Sequence, residues 1–246
     1  MGSVESDRGV NFFQEVAAWL GDPANWTGDS GLITRTLDHI WISVLSVTIA
    51  VVLTVPLAVI LAHYKKGGLI TGSLVNLGRA IPSFGLVALA YTVSLSIGLG
   101  LGFWPTLVAL VALAMPPIFT NAHTGVGQVD QATVEAGRGT GMSERQVLLG
   151  LEVPLAMPVL WTAIRVSAVA VVATATLGAI VGWGGLGRYV IDGFAQGDDV
   201  QIFIGGASVA LLAIATDLFF TATERWVLPA GTRAKDRTEV EAAPKI

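Results

Sequence analysis

Side chains able to do chemistry are few in this chain of 246 residues, and their positions say more than their number. There is no cysteine, so neither disulfides nor thiolate metal sites are available. The three histidines, His39, His63 and His123, are scattered, and no nucleophile–base pair or metal-ligand set accompanies them. His39 and His63 bracket an uncharged run, where they read as interfacial residues at the two ends of a span rather than as metal ligands. Gly137 to Gly141 (GRGTG) superficially suggests a phosphate loop, but it lacks the following Lys-Ser/Thr and a preceding strand. Seven tryptophans invite a cation–π cage. Five of them, Trp19, Trp26, Trp41, Trp104 and Trp183, instead map to one membrane side, as interfacial aromatics do. The chain is therefore not expected to be an enzyme by itself, and no metal or cofactor is expected on it.

Two charges remain, Arg165 and Asp217, each alone within a long apolar run. Such residues are costly in hydrocarbon and usually face a bundle interior or a water-filled path. Asp217 lies about 10 Å from the end of its run and Arg165 about 16 Å along its own, at a rise of about 1.5 Å per residue. Comparable depth admits a salt bridge; lining of a path and snorkelling are the other readings.

The elements that hold these residues follow from composition. Hydrophobic residues make up 53% and charged residues 13%, against about 25% charged in an average soluble domain, and mean hydropathy is +0.69. The apolar residues come in runs of the length a helix needs to cross about 30 Å of hydrocarbon. An all-α membrane protein of about five transmembrane helices is expected, with spans near 40–62, 81–97, 103–122, 155–181 and 202–223. Alternating ten-residue segments, which a β-barrel needs, are absent. Residues 1–38 read as an extracytoplasmic segment without a cleavable signal. Within it Val10–Leu20 forms a short helix, with Phe12, Phe13, Val16, Trp19 and Leu20 as its stripe, at the interface or packed on the bundle. Gly98, Gly100 and Gly102 mark a tight reversal, and Pro116-Pro117 break the third span. Gly178 to Gly182 (GAIVG) permits close helix approach. Gly182–Asp199 reads as a Gly-rich loop, and residues 227–246 as a frayed cytoplasmic tail.

Basic residues orient the bundle. Lys65, Lys66, Arg79, Arg138, Arg145, Arg225, Arg233, Lys235, Arg237 and Lys245 fall on one side, against Arg8, Arg35 and Arg188 on the other. The positive-inside bias places the 123–153 loop and the C-terminus in the cytoplasm and the N-terminus outside.

Between the third and fourth spans lies an unusual polar stretch, Val134–Pro154 (VEAGRGTGMSERQVLLGLEVP). Ser143 and Gln146 have the spacing of a capping box. Gly139 and Gly141 suit the positive φ that closes a preceding helix, and Pro154 suits the first turn of the next. A polar helix–turn–helix between two membrane-length segments implies that something docks there.

This stretch resembles the EAA motif of the permease subunits of ATP-binding-cassette (ABC) importers. Glu135, Ala136 and Gly137 stand at its E-A-A; with three residues between comes Gly141; with nine more between come Leu151 and, past Glu152 and Val153, Pro154. Gly137, Leu151 and Val153 depart from the motif, and Gly137 in place of alanine costs a helix about 1 kcal/mol. Pro154-Leu155-Ala156-Met157-Pro158 with Ala163-Ile164-Arg165, Gly182 to Gly187, Asp217 and Asp22-Pro23-Ala24-Asn25-Trp26 are similar to the osmoprotectant branch, whose members import glycine betaine, choline or carnitine.

The resemblance implies a type I importer permease fold of the methionine-importer (MetI-like) kind in a bacterial cell membrane. Glu135, Ala136, Gly137, Gly141, Leu151 and Pro154 would couple to an ATPase through a helix capped by Ser143 and Gln146. The partners implied are a cytoplasmic ABC ATPase dimer that uses ATP and Mg, an extracytoplasmic substrate-binding protein, and a second permease subunit, as homodimer or paralogous heterodimer, amid membrane lipid and without nucleic acid. A methionine-type amino-acid importer is the nearest other branch. A proton-coupled secondary transporter working through Asp217 is a further reading, although such proteins often carry inverted repeats and none is evident.

Overall fold

The structure is a computed structural model and describes residues 2–71, 73 and 82–228. Arg79 of the basic loop, the start of the expected second span at Ile81, and Arg233, Lys235, Arg237 and Lys245 of the tail lie outside them. Among the described residues the regular structure is entirely helical.

In chain order the α-helices are α1 (Gly2–Gly21), α2 (Leu32–His63), α3 (Ser83–Ser96), α4 (Phe103–Gly127), α5 (Gln131–Gly139), α6 (Glu144–Val147), α7 (Val153–Thr174), α8 (Gly187–Gln196) and α9 (Asp199–Val227). A π turn, Leu148–Glu152, joins α6 to α7, and a 3-10 turn, Ala175–Val181, extends α7. Four stretches are long and apolar enough to cross a membrane: Leu32–His63, Phe103–Gly127, Glu144–Val181 and Asp199–Val227. The stretch expected as a second span contains α3, apolar but only 14 residues long. Pro82 precedes its first turn and the glycines after Ile97 end it.

Three local expectations change. Pro116-Pro117 do not break α4, which runs on to Gly127. Thr120 donates to the Pro116 carbonyl (2.9 Å) and Asn121 Nδ2 to that of Pro117 (2.7 Å), side-chain bonds of the kind that let membrane helices keep proline. The Gly-rich segment after Val181 is not only loop, because α8 occupies its centre with Tyr189 buried, and Gly197, at φ 70, closes the helix. Gly139 lies inside α5, so the left-handed position falls to Gly141 alone, at φ 89.

The chain divides into two compact units. Unit 1 is Met1–Thr48, Ile81–Ala114 and Ala168–Ala215. Its core gathers Val16, Leu32, Leu186, Tyr189 and Ile204. Val16, from the centre of the N-terminal stripe, is thus packed against α8 and α9, while Phe13 and Leu20 remain exposed. Tyr189 donates its hydroxyl to the Ser30 carbonyl at 2.8 Å. A second cluster sets Val87 of α3 on Ala109 and Val181. There the Gly102 amide donates to the Val181 carbonyl at 2.8 Å, and a β-carbon on Gly102 would stand 2.9 Å from the Gly182 carbonyl oxygen, so only glycine fits that turn. Gly178 approaches Thr106 as closely, so the GAIVG glycine serves packing within the chain.

Unit 2 is Ile49–Ala80, Met115–Ser167 and Thr216–Ile246. Its core is built of Ala58, Val59 and Ala62 of α2, Phe119, Ala122 and Val126 of α4, and Ala156 and Leu160 of α7. The small residues let these helices approach closely, which is how membrane helices pack when lipid is as apolar as the side chains.

Candidate functional site

The Val134–Pro154 stretch lies wholly in unit 2 and folds as a helical hairpin. Asp130 caps α5, its carboxylate accepting from the Thr133 amide at 3.1 Å. At the other end the chain reverses over Gly141, and the Met142 amide donates to the Gly137 carbonyl at 3.2 Å. Ser143 and Gln146 form a capping box. Gln146 Oε1 accepts from the Ser143 amide (2.8 Å) and from its hydroxyl (2.9 Å). Arg138 and Glu144 bridge the hairpin with two parallel bonds of 2.9 Å, the fork geometry that carries most specificity among ion pairs. The Arg138 guanidinium holds the Glu144 carboxyl below the usual carboxylate range.

Burial splits the EAA-like residues into two sets. Glu135, Ala136 and Gly141 are exposed, with Ser143 and Gln146 beside them. Gly137 is buried, and Leu151 and Pro154 are half-buried. A β-carbon on Gly137 would meet Leu151 Cδ1 at 2.6 Å and Met142 Sδ at 3.3 Å, so Gly137 is a point of close packing rather than a soft joint. Val134 and Val147 fill the rest of the hairpin interior. Pro154 is the second residue of α7 and directly follows the π turn, inside a continuous helix rather than at a free first turn. The helix does not restart there. It passes from α6 through the π turn into α7, so the hairpin's second arm is continuous with the membrane-length helix.

The largest correction concerns the histidines. Both His39 and His63 are buried by protein rather than exposed at the two ends of a span. α2 begins at Leu32, well before the uncharged run, so His39 lies inside the helix and is 1% exposed. Its Nε2 lies 2.8 Å from the Val172 carbonyl oxygen. His63 is 7% exposed and sits between two carboxylates: Nδ1 is 2.6 Å from Glu152 Oε2, and Nε2 is 3.1 Å from Glu144 Oε2. Glu152 is itself 6% exposed. Reading along the chain missed this cluster. The available signal was Glu152, an acid between Leu151 and Val153 in an otherwise apolar step, because a buried acid requires a partner.

Arg165 and Asp217 meet. Nε donates to Oδ1 at 2.6 Å and Nη2 to Oδ2 at 2.7 Å, joining α7 to α9 within unit 2. One turn earlier in α7, Trp161 Nε1 donates to the Phe220 carbonyl at 3.1 Å. Among the described residues no group of three or more His, Asp or Glu could hold a metal ion.

Comparison with known proteins assigns this architecture. Residues 54–229 match the family model described as "Binding-protein-dependent transport system inner membrane component". The chain is 35% identical over 205 residues to the glycine betaine/carnitine/choline transport system permease protein OpuCB of Bacillus subtilis, covering 83% of this chain and 92% of that protein. It is 37% identical over 206 residues to the choline transport system permease protein OpuBB of the same organism, with the same coverage. The osmoprotectant import permease protein OsmW of Salmonella typhimurium is 32% identical over 203 residues, covering 82% and 94%. Among solved structures, an inward-facing form of the MetNI methionine ABC transporter superposes with a TM-score of 0.70 at 20% identity, covering 80% of this chain and 96% of that one. With its all-helical fold and its EAA-like hairpin, the chain belongs to the family of binding-protein-dependent transport system inner membrane components, the permease subunits of ABC importers, which work with an ATPase and a binding protein.

Proposed function

We propose that this permease serves an importer for small quaternary-amine osmoprotectants such as glycine betaine, choline or carnitine. The observation that carries the reading is the match to relatives named for those substrates at 35% and 37% identity, over 92% of their own length. The likeness to a methionine importer stands at 20% identity and concerns the fold alone.

In this reading the 123–153 loop faces the cytoplasm and the N-terminus lies outside, as the distribution of Lys and Arg favours. The exposed Glu135, Ala136 and Gly141 meet the ATPase. Beside them is a hollow of about 400 Å³ lined by Met142, Arg145, Gln146, Leu149 and Gly150, which gives the partner a shaped surface. The buried Gly137 and the half-buried Leu151 and Pro154 keep the hairpin rigid, and the continuous helix passes its movement to α7. A second permease copy or a paralogue completes the pathway, and ATP with Mg is handled by the ATPase. Asp217, engaged on both oxygens by Arg165, is a structural tie here rather than a proton carrier.

Uptake of labelled glycine betaine, choline and methionine into vesicles holding the reconstituted complex tests the substrate class. ATP-dependent uptake of one of the first two, with methionine excluded, is expected. Uptake of methionine in preference to both sinks the assignment.

A further inference from the structure

The last turns of α2 and the second arm of the hairpin enclose an open groove of about 530 Å³ within unit 2. One wall is a stripe of α2 in which Val55, Val59 and His63, and beside them Pro56, Ile60 and Tyr64, recur every four residues on one helix face. At a rise of about 1.5 Å per residue this stripe runs for about 13 Å. Leu148, Leu149 and Val153 form the other wall. Both walls belong to stretches of membrane length and hydropathy, Leu32–His63 and Glu144–Val181. Ile60 is 47% exposed and Leu149 54%, so the groove opens sideways from the helices rather than into the core.

Charge is confined to one end. His63 Nε2 lies 3.1 Å from Glu144 Oε2, which brings the end of α2 to α6 and sets Tyr64 and Arg145 at the same rim. Glu144 is the one acid among the lining residues, and the Arg138 fork already meets its charge. Among the described residues no ion pair or side-chain hydrogen bond engages Arg145. Lys65 and Lys66 follow Tyr64, and both are exposed. The rim therefore carries an excess of positive charge, whereas the walls below it are apolar.

An apolar wall that reaches to hydrocarbon depth, with cations at its mouth, fits a lipid lying with its chain along the wall. Helical walls have no free backbone groups to offer, so a peptide laid there would leave its own amides unpaired. Lys and Arg at a membrane surface attract anionic headgroups, and a guanidinium holds a phosphate by two parallel hydrogen bonds. We propose that this groove holds an acyl chain of an anionic phospholipid, with the headgroup phosphate on Arg145 and with Lys65 and Lys66 adding attraction. The bound lipid braces the end of α2 against the hairpin, beside the contact of His63 with Glu144. The leaflet concerned is the one that borders the hairpin, and neither the transported substrate nor the ATPase contact enters the argument.

Photo-cross-linking on the assembled permease–ATPase complex tests this. The complex is placed in phosphatidylcholine vesicles with a trace of phosphatidylglycerol or of phosphatidylcholine, each bearing the same photoactivatable acyl chain. Adducts are then mapped by mass spectrometry. In the wild type, adducts on residues 55–64 and 144–153 are expected mainly from phosphatidylglycerol. Arg145→Gln should bring the two probes to equal labelling there, and Arg145→Lys should retain the preference. Arg145 is exposed, so neither change threatens the fold. Ile60→Trp fills the groove and should remove these adducts for both probes, while adducts at the exposed Leu211 and Leu218 of α9 persist. Equal labelling by the two probes in the wild type overturns the proposal, as does a preference that survives Arg145→Gln. Absence of groove adducts from both probes, with Leu211 and Leu218 labelled, means that a protein partner covers the groove and overturns it as well.

Discussion

At the level of single residues, two departures from the EAA pattern explain one another. The Leu151 side chain reaches into the place that an alanine methyl at position 137 would take, 2.6 Å from it. Gly137→Ala gains about 1 kcal/mol of helix propensity but overpacks the hairpin at a cost of about 1–3 kcal/mol. Lower thermal stability is therefore expected for Gly137→Ala, with relief when Leu151→Val is added. In a double-mutant cycle the pair should couple by about 0.5–3 kcal/mol; strict additivity would mean that the contact carries nothing. Gly141 at φ 89 is constrained differently, because no neighbour crowds it but the left-handed backbone disfavours any side chain. Gly141→Ala should destabilise the hairpin by about 1–2 kcal/mol, visible as faster amide exchange across α5 and α6. Glu144 sets the acid limit of the same hairpin. Its folded pKa lies below the unfolded value, so its contribution is complete above the unfolded pKa and is lost as pH falls through the folded one. Exchange protection in α5 and α6 should decline there in wild type and be already reduced, with a shallower decline, in Glu144→Gln.

Among the elements, the π turn has the most direct mechanical consequence. It keeps the helix unbroken from Glu144 through Glu152 into α7 while aiming Glu152 inward at His63. Leu149 is exposed and lines the hollow beside Met142 and Gln146, so Leu149→Ala trims that surface but keeps the helix. Leu149→Pro removes a backbone donor and breaks the helix at about 3 kcal/mol. Continued ATP hydrolysis with uptake lost is expected for Leu149→Pro and not for Leu149→Ala; equal uptake in both would exclude helix continuity as the transmission. The other tie is Arg165–Asp217 between α7 and α9. Each single charge reversal should abolish uptake, and the swap of both residues should restore most of it. A swap no better than the single variants points to Arg165 or Asp217 acting on something other than each other.

For the whole molecule, the division of labour follows from the family to which the chain belongs. Among the described residues there is no metal-binding cluster, and its GRGTG stretch ends a helix rather than opening one after a strand. ATP hydrolysis belongs to the ATPase with which this family works. Uptake should stop when ATP is depleted and survive an uncoupler. The reverse pattern would restore the secondary-transport reading that the Arg165–Asp217 pairing disfavours.

The sequence by itself determined the class of the protein, the runs destined for the four membrane-length stretches and the motif of the polar hairpin. Each of these is written locally. The bilayer sets a length requirement that a stretch of apolar residues meets or fails alone, and the Ser143–Gln146 cap, Pro154 and the EAA-like spacing depend on neighbours a few positions away. Tertiary structure alone decided which charges meet. His63 and Glu152 are 89 positions apart, and each reads singly as an end-of-span or solvated residue. Gly137 reads in the sequence only as a costly departure from alanine, and the fold packs Leu151 on it. The helix around Tyr189 looked like loop because glycines surround it, and its formation depends on burial against Leu186 and Ile204. Long-range proximity has no signature in local spacing. The polar stretch between the third and fourth spans could therefore be recognised from its residues, while the contacts of His63 with Glu144 and Glu152 became visible only in the folded chain.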